Sequence, residues 1–113
     1  MENSKPEVNA ALGRALDPDW VFPGAPDAEA ELPCISYLEL NNVPASSADD
    51  EEYSTQEIYA VDIWGEAGPE EISAIAQDAD REMKGIGFER THCADVPEGD
   101  GTEHKNMIYE RVK

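Results

Sequence analysis

Glu57-Ile-Tyr-Ala-Val-Asp-Ile-Trp64, then Gly65-Glu-Ala-Gly-Pro69, then a helical pattern closing on Gly85-Ile-Gly-Phe88, is the stretch whose reading decides the fold. Its first eight residues are rich in β-branched and aromatic side chains, which suit a pleated, half-buried surface. Alternation along a strand places Tyr59, Val61 and Ile63 on one face and Ile58, Ala60, Asp62 and Trp64 on the other. Both sets are largely apolar. The segment therefore reads as a central strand, covered fully on one side and partly on the other.

The pattern that follows is helical. Ile72, Ile75, Ala76, Ala79 and Met83 recur at spacings of three and four and form one narrow apolar stripe. Pro69 suits the first helical position, where its missing N–H costs nothing. Glu70 and Glu71 meet the positive end of the helix dipole, and Lys84 the negative end. Gly85 is the expected left-handed cap. The small Ala76 and Ala79 permit close approach to a sheet.

Working outward, Ser4-Lys-Pro-Glu7 matches a capping box, with Ser4 as N-cap of a helix that runs to Leu16 on Val8, Ala11, Leu12, Ala15 and Leu16. Asp17-Pro18 stops that helix. Trp20 to Phe22 is a short edge strand, and Cys34 to Leu40 a longer one. Asn42 to Ser54 is a polar loop holding Ser46-Ser47 and the run Asp49-Asp50-Glu51-Glu52. The strands on either side of it make an antiparallel hairpin with an extended acidic tip. Phe88 to Ala94 and Met107 to Val112 are two more strands, joined by the turn Pro97-Glu-Gly-Asp-Gly101. The expected fold is α+β, with two helices on a mixed, mostly antiparallel sheet of four to five strands in the order α-β-β-β-α-β-β. At 113 residues this is one domain, with residues 1–5 disordered and 42–54 flexible.

Charge is the extreme feature of the composition. There are 26 acids against 8 Lys plus Arg, a formal net charge of −18. Between Ala15 and Asp80 there is no Lys or Arg. Such a field disfavours direct binding to nucleic acid, whose phosphates require cations. It implies a well-solvated surface or, more sharply, one that repels DNA or imitates it. No run of about 18 apolar residues suggests a membrane span. The N-terminus lacks a basic-then-apolar leader, so a cytoplasmic location is expected. Cys34 and Cys93 read as reduced thiols.

Candidate chemistry is sparse. The run Asp49–Glu52 resembles a calcium loop only in charge, since the ligand spacing and the terminal Glu are missing. A zinc site from Cys34, His92, Cys93 and His104 is opposed by the adjacency of His92 and Cys93, which points them to opposite strand faces. No local signature marks a Cys/His nucleophilic pair. Gly85 and Gly87 follow a helix rather than open one, so they do not form a phosphate cradle. The reading is a protein that is not an enzyme and has no cofactor or metal.

Several segments, taken in order, carry a resemblance. They are Leu-Pro-Cys34-Ile-Ser-Tyr, the hairpin ending Asp-Glu-Glu-Tyr53-Ser, Tyr59-Ala-Val-Asp-Ile-Trp, the helix ending Arg-Glu-Met-Lys-Gly85-Ile-Gly-Phe-Glu-Arg, and His104-Lys-Asn-Met-Ile-Tyr-Glu-Arg. Over roughly Asp19 to Arg111 the chain resembles the small tail-completion, or tail-to-head joining, proteins of long-tailed bacteriophages and their prophages, which have a tail-terminator-like fold. The resemblance implies a viral structural protein of the virion, without enzymatic activity. It also implies a ring, expected to be hexameric, seated between the tail tube and the head connector proteins, with DNA passing through but not bound specifically. An acid-lined lumen would let DNA pass by repulsion. The loop residues Asp49, Asp50, Glu51, Glu52 and Tyr53 are the expected interaction site, since a long structureless loop is usually functional. Two other classes remain open: an acidic DNA-mimic inhibitor, and a small adaptor that binds a basic partner.

Overall fold

The computed structural model describes residues 4–26, 31–44, 55–66 and 68–112. Helix α1 spans Lys5–Ala15, strand β1 Val21–Pro23, β2 Cys34–Pro44, β3 Thr55–Gly65, helix α2 Pro69–Gly85, β4 Glu89–Asp95 and β5 Glu103–Val112, with one 3-10 turn at Pro18–Trp20. This is the α+β order expected from the pattern. The five strands form one sheet in the order β1-β2-β3-β5-β4. Among the described residues, β1 and β2 alone pair in parallel. The pairs β2–β3, β3–β5 and β4–β5 are antiparallel.

Strand β3 sits at the centre because both of its faces can be buried. Tyr59, Val61 and Ile63 are fully enclosed and join one core cluster with Ile35 and Tyr37 of β2 and Met107 and Tyr109 of β5. The helices close the same face. Val8 and Leu12 come from α1, and Ile72, Ile75, Ala76, Ala79 and Met83 from α2, so the whole expected stripe is buried. Fully burying each of the larger ones, Val, Leu, Ile or Met, contributes about 1.5–3 kcal/mol. Close approach is built into the end of β3. A Cβ on Gly65 would stand 2.9 Å from Glu71 Oε1 and 3.1 Å from Ile72 Cγ1, so a larger residue there would require the Glu71 carboxylate and the Ile72 side chain to shift.

Several local readings are corrected. Ser4 makes no side-chain cap on α1. Its hydroxyl is buried against the sheet and meets the Tyr59 hydroxyl at 2.7 Å, while Glu7 pairs with Arg111 at 2.8 Å. Ser4 is buried and Lys5 opens α1, while residues 1–3 lie outside the described residues. At the end of α2 the positive φ falls on Gly87, at +97°, and not on Gly85, which is the last helical residue. The amides of Gly87 and Phe88 close the helix by bonding back to the carbonyls of Lys84 and Met83. Strand β2 runs on past Leu40 to Pro44, which pairs with Thr55. Residues 42–44 of the segment expected as a loop are thus paired strand, and the rest of it, 45–54, lies outside the described residues. A bulge between Glu39 and Asn41 resets the register and lets the pairing continue, and no sequence periodicity announces it.

Candidate interaction surface

Both helices lie on one face of the sheet, so among the described residues the other face has no helical cover. Residues directly opposite in an antiparallel pair share a face. The registers Ser36↔Asp62, Leu38↔Ala60, Trp64↔His104, Asp62↔Asn106 and Ala60↔Ile108 therefore assemble this outer face from β2, β3 and β5. Leu38 and Leu40 are about half exposed, at 54% and 51%.

A polar cluster sits in the middle of the face. The His104 ring stacks on the Trp64 indole, centroid to centroid at 3.7 Å and 13° between planes. His104 Nε2 meets Asp62 Oδ1 at 2.7 Å, and Nδ1 meets Glu98 Oε1 at 2.8 Å. The Asn106 side-chain amide donates to the same Asp62 oxygen at 2.9 Å, and Trp64 Nε1–H donates to Ser36 Oγ at 3.1 Å. Both imidazole nitrogens are thus tied to carboxylates, and the serine hydroxyl faces an indole rather than a base. The arrangement orients a flat aromatic pair and holds a carboxylate in place. A cleft of about 300 Å³ opens beside it, lined by Gly24, Ala25 and Pro26 on one side and by Ser36, Leu38, Asp62, Trp64 and His104 on the other.

The sequence reading missed this cluster. Its one local sign is Asp62, a carboxylate in the midst of Ile-Tyr-Ala-Val-Asp-Ile-Trp. Its partners His104 and Asn106 come from the far end of the chain. The residues that were expected to interact, Asp49, Asp50, Glu51, Glu52 and Tyr53, lie outside the described residues. The strands that carry them are in place, paired up to Pro44 and Thr55. The four candidate zinc ligands are dispersed: Cys34 is buried on β2, His92 and exposed Cys93 are on edge strand β4, and His104 is in the cluster above. Among the described residues, no three His, Cys, Asp or Glu side chains could hold a metal ion.

On the helical side the cations are engaged. Arg14 pairs with Glu82 at 3.1 Å, Arg81 with Asp78 at 3.0 Å, and Lys105 with Asp95 at 3.0 Å. Asp80 receives Lys84 at 2.8 Å, Arg90 at 3.5 Å and the Tyr109 hydroxyl at 2.7 Å. Burial works against the charged form of Asp80. The hydrogen bonds from Lys84 and Tyr109, with the nearby Arg90 charge, nevertheless hold its carboxyl below the usual range. Burial pushes the Tyr59 phenol up to about 12. The Ser4 hydrogen bond opposes that shift and Glu39 adds to it.

Comparison with known proteins finds no matching family model and no matching curated protein. Among solved structures, the fold matches a chain of the virion of a native gene transfer agent particle, with a TM-score of 0.63 and 13% identity. The match covers 93% of this chain and 82% of that one. At this identity the likeness is one of fold. No helix among the described residues is long and apolar enough to cross a membrane.

Proposed function

We propose that this protein is a non-enzymatic structural subunit of a bacteriophage-type virion. It acts at the head–tail joint as a tail-completion ring subunit, hexameric on assembly, in contact with tail tube and head connector proteins. The supporting observation is the fold shared, over 93% of the chain, with a component of a gene transfer agent virion. The ordered segments from Asp19 to Arg111 that resemble tail-completion proteins point the same way. Charge fits the role. At −18 per subunit, with its described arginines paired to carboxylates, the protein offers phosphates little but repulsion. Repulsion also opposes ring closure in isolation, and salt screens it over about 10 Å at 0.1 M. Isolated subunits are then mainly monomeric at low salt and associate more as salt rises.

The test is deletion of the gene from a phage or prophage that carries it, followed by complementation and electron microscopy of the particles. The expected result is separate heads and tails, restored to joined virions by the intact gene. Replacing Asp49, Asp50, Glu51 and Glu52 together by Ser should leave the fold intact and impair joining. Normally joined virions from the deletion would overturn the head–tail reading and bring the acidic inhibitor forward.

A further inference from the structure

The outer-face cleft has a chemistry of its own. Its walls are apolar: Leu38 on β2, the Ala25-Pro26 segment, and the Trp64–His104 stack. Its lining includes one carboxylate, that of Asp62. Asp62 Oδ1 accepts from His104 and Asn106, whereas Oδ2 receives no hydrogen bond from any described residue. The Asp62 side chain keeps 21% of its surface open to solvent. Two carboxylates flank the one imidazole, so the cluster is net negative whether or not His104 carries a second proton. At about 300 Å³ the space is at the bottom of the range of ligand pockets, about 300–1,000 Å³. It is large enough for one long side chain.

An apolar slot with a carboxylate in its lining, beside an aromatic face, suits a side chain with an aliphatic stem and a cationic head. The stem would lie along Leu38, Pro26 and Trp64, and the head would meet Asp62 Oδ2. A second copy has little to offer here: Arg14, Arg81, Lys84, Arg90, Lys105 and Arg111 already pair with carboxylates of their own chain, and each copy carries a formal charge of −18. Charge complementarity points to a different, basic protein.

We infer that the cleft between Gly24–Pro26 and the Trp64–His104 stack is a docking site for a single lysine or arginine side chain on an apolar segment of a partner protein. Asp62 is its charge receptor. The inference rests on the reading of the chain as an assembling virion subunit only for where such a partner would be found.

The test uses the isolated full chain, labelled with ¹⁵N. It is titrated with the capped peptide Ser-Leu-Arg-Leu-Ser, its Lys counterpart and its neutral Gln counterpart. The cationic peptides should produce saturable shifts confined to the Trp64 indole N–H, the side-chain amide of Asn106 and the backbone amides of Ser36, Leu38 and Asp62. The Gln peptide should not. Asp62→Asn should weaken binding about tenfold, the scale of a lost charge-assisted hydrogen bond. Leu38→Ala, a change at an exposed position that leaves the fold untouched, should weaken it severalfold. Asp78→Asn, on α2 and away from the cleft, should leave it unchanged. Equal shifts with the Gln peptide, shifts spread over the whole acidic surface, insensitivity to both cleft variants, or no shifts at millimolar peptide would each overturn the site. The titration reads the cleft and the gene deletion reads the virion role, so the two ideas fail separately.

Discussion

Arg111 and Glu57 face each other across β5 and β3 inside the protein, with Nη2 3.0 Å and Nε 3.1 Å from the same carboxylate oxygen. Glu57 is fully buried and Arg111 is 7% exposed. The guanidinium also donates to the Ile86 carbonyl at 2.6 Å, pairs with Glu7, and lies 4.4 Å over the Phe88 ring. This one residue ties the start of α1, the centre of the sheet and the end of α2 together.

The pair should show the asymmetry of buried charges. Arg111→Met strands the Glu57 carboxylate, whose Oε2 already has no hydrogen-bond partner among the described residues. The expected loss of stability in urea denaturation is about 3–5 kcal/mol. Adding Glu57→Leu to that variant should recover much of the loss, because it removes the uncompensated charge. A double variant as damaged as the sum of its singles would mean that the two residues do not act as a pair.

Ile75 should behave as a core residue of α2. It is 8% exposed, in the cluster with Val61 and Ile63. Ile75→Ala should cost about 2–5 kcal/mol. A loss of less than about 0.5 kcal/mol, the range of ordinary surface changes, would show that the stripe does not pack as described.

Asp80 should make stability depend on acid. Its carboxyl is held below the usual range in the folded state. The unfolded chain therefore takes up the proton first as pH falls. The contribution is present at any pH above the unfolded value of about 3.9 and is lost as pH drops through the lower folded value. Asp80→Asn should cost about 1–3 kcal/mol at pH 7, the scale of hydrogen bonds to a charged group. The gap from the parent protein should narrow below about pH 4. Denaturation midpoints collected from pH 3 to pH 8 on both proteins check this, and a pH-independent gap would contradict it.

The two glycines at the end of α2 should respond oppositely. Gly87 sits at φ +97°, and an added Cβ would stand 3.3 Å from Arg111 Cδ. Gly87→Ala should cost about 1–3 kcal/mol, the strain of a side chain in that region. Gly85 is helical with open space around it, so Gly85→Ala should be neutral or stabilising by up to about 1 kcal/mol. Thermal melts of the two variants separate the true cap from the apparent one.

What the sequence determined by itself is what neighbouring residues encode. The α2 stripe, the central strand with Tyr59, Val61 and Ile63 inward, and the order of the elements all follow from periods of 3.6 and 2 in local stretches. Even the net charge and its exclusion of cations from the middle of the chain need no fold to be read. Tertiary structure alone decided which side chains meet. Ser4 fits a capping box, yet its hydroxyl goes to Tyr59, 55 residues away. Glu7 belongs to the same motif, yet it faces Arg111. Asp62 looks like a lone acid in an apolar strand until β5 brings His104 and Asn106 beside it. These pairings depend on strand register, on the bulge after Glu39 and on the placement of both helices over one sheet face. Burial makes polar partners obligatory but does not say where along the chain they will be found, because that is fixed by contacts between distant segments.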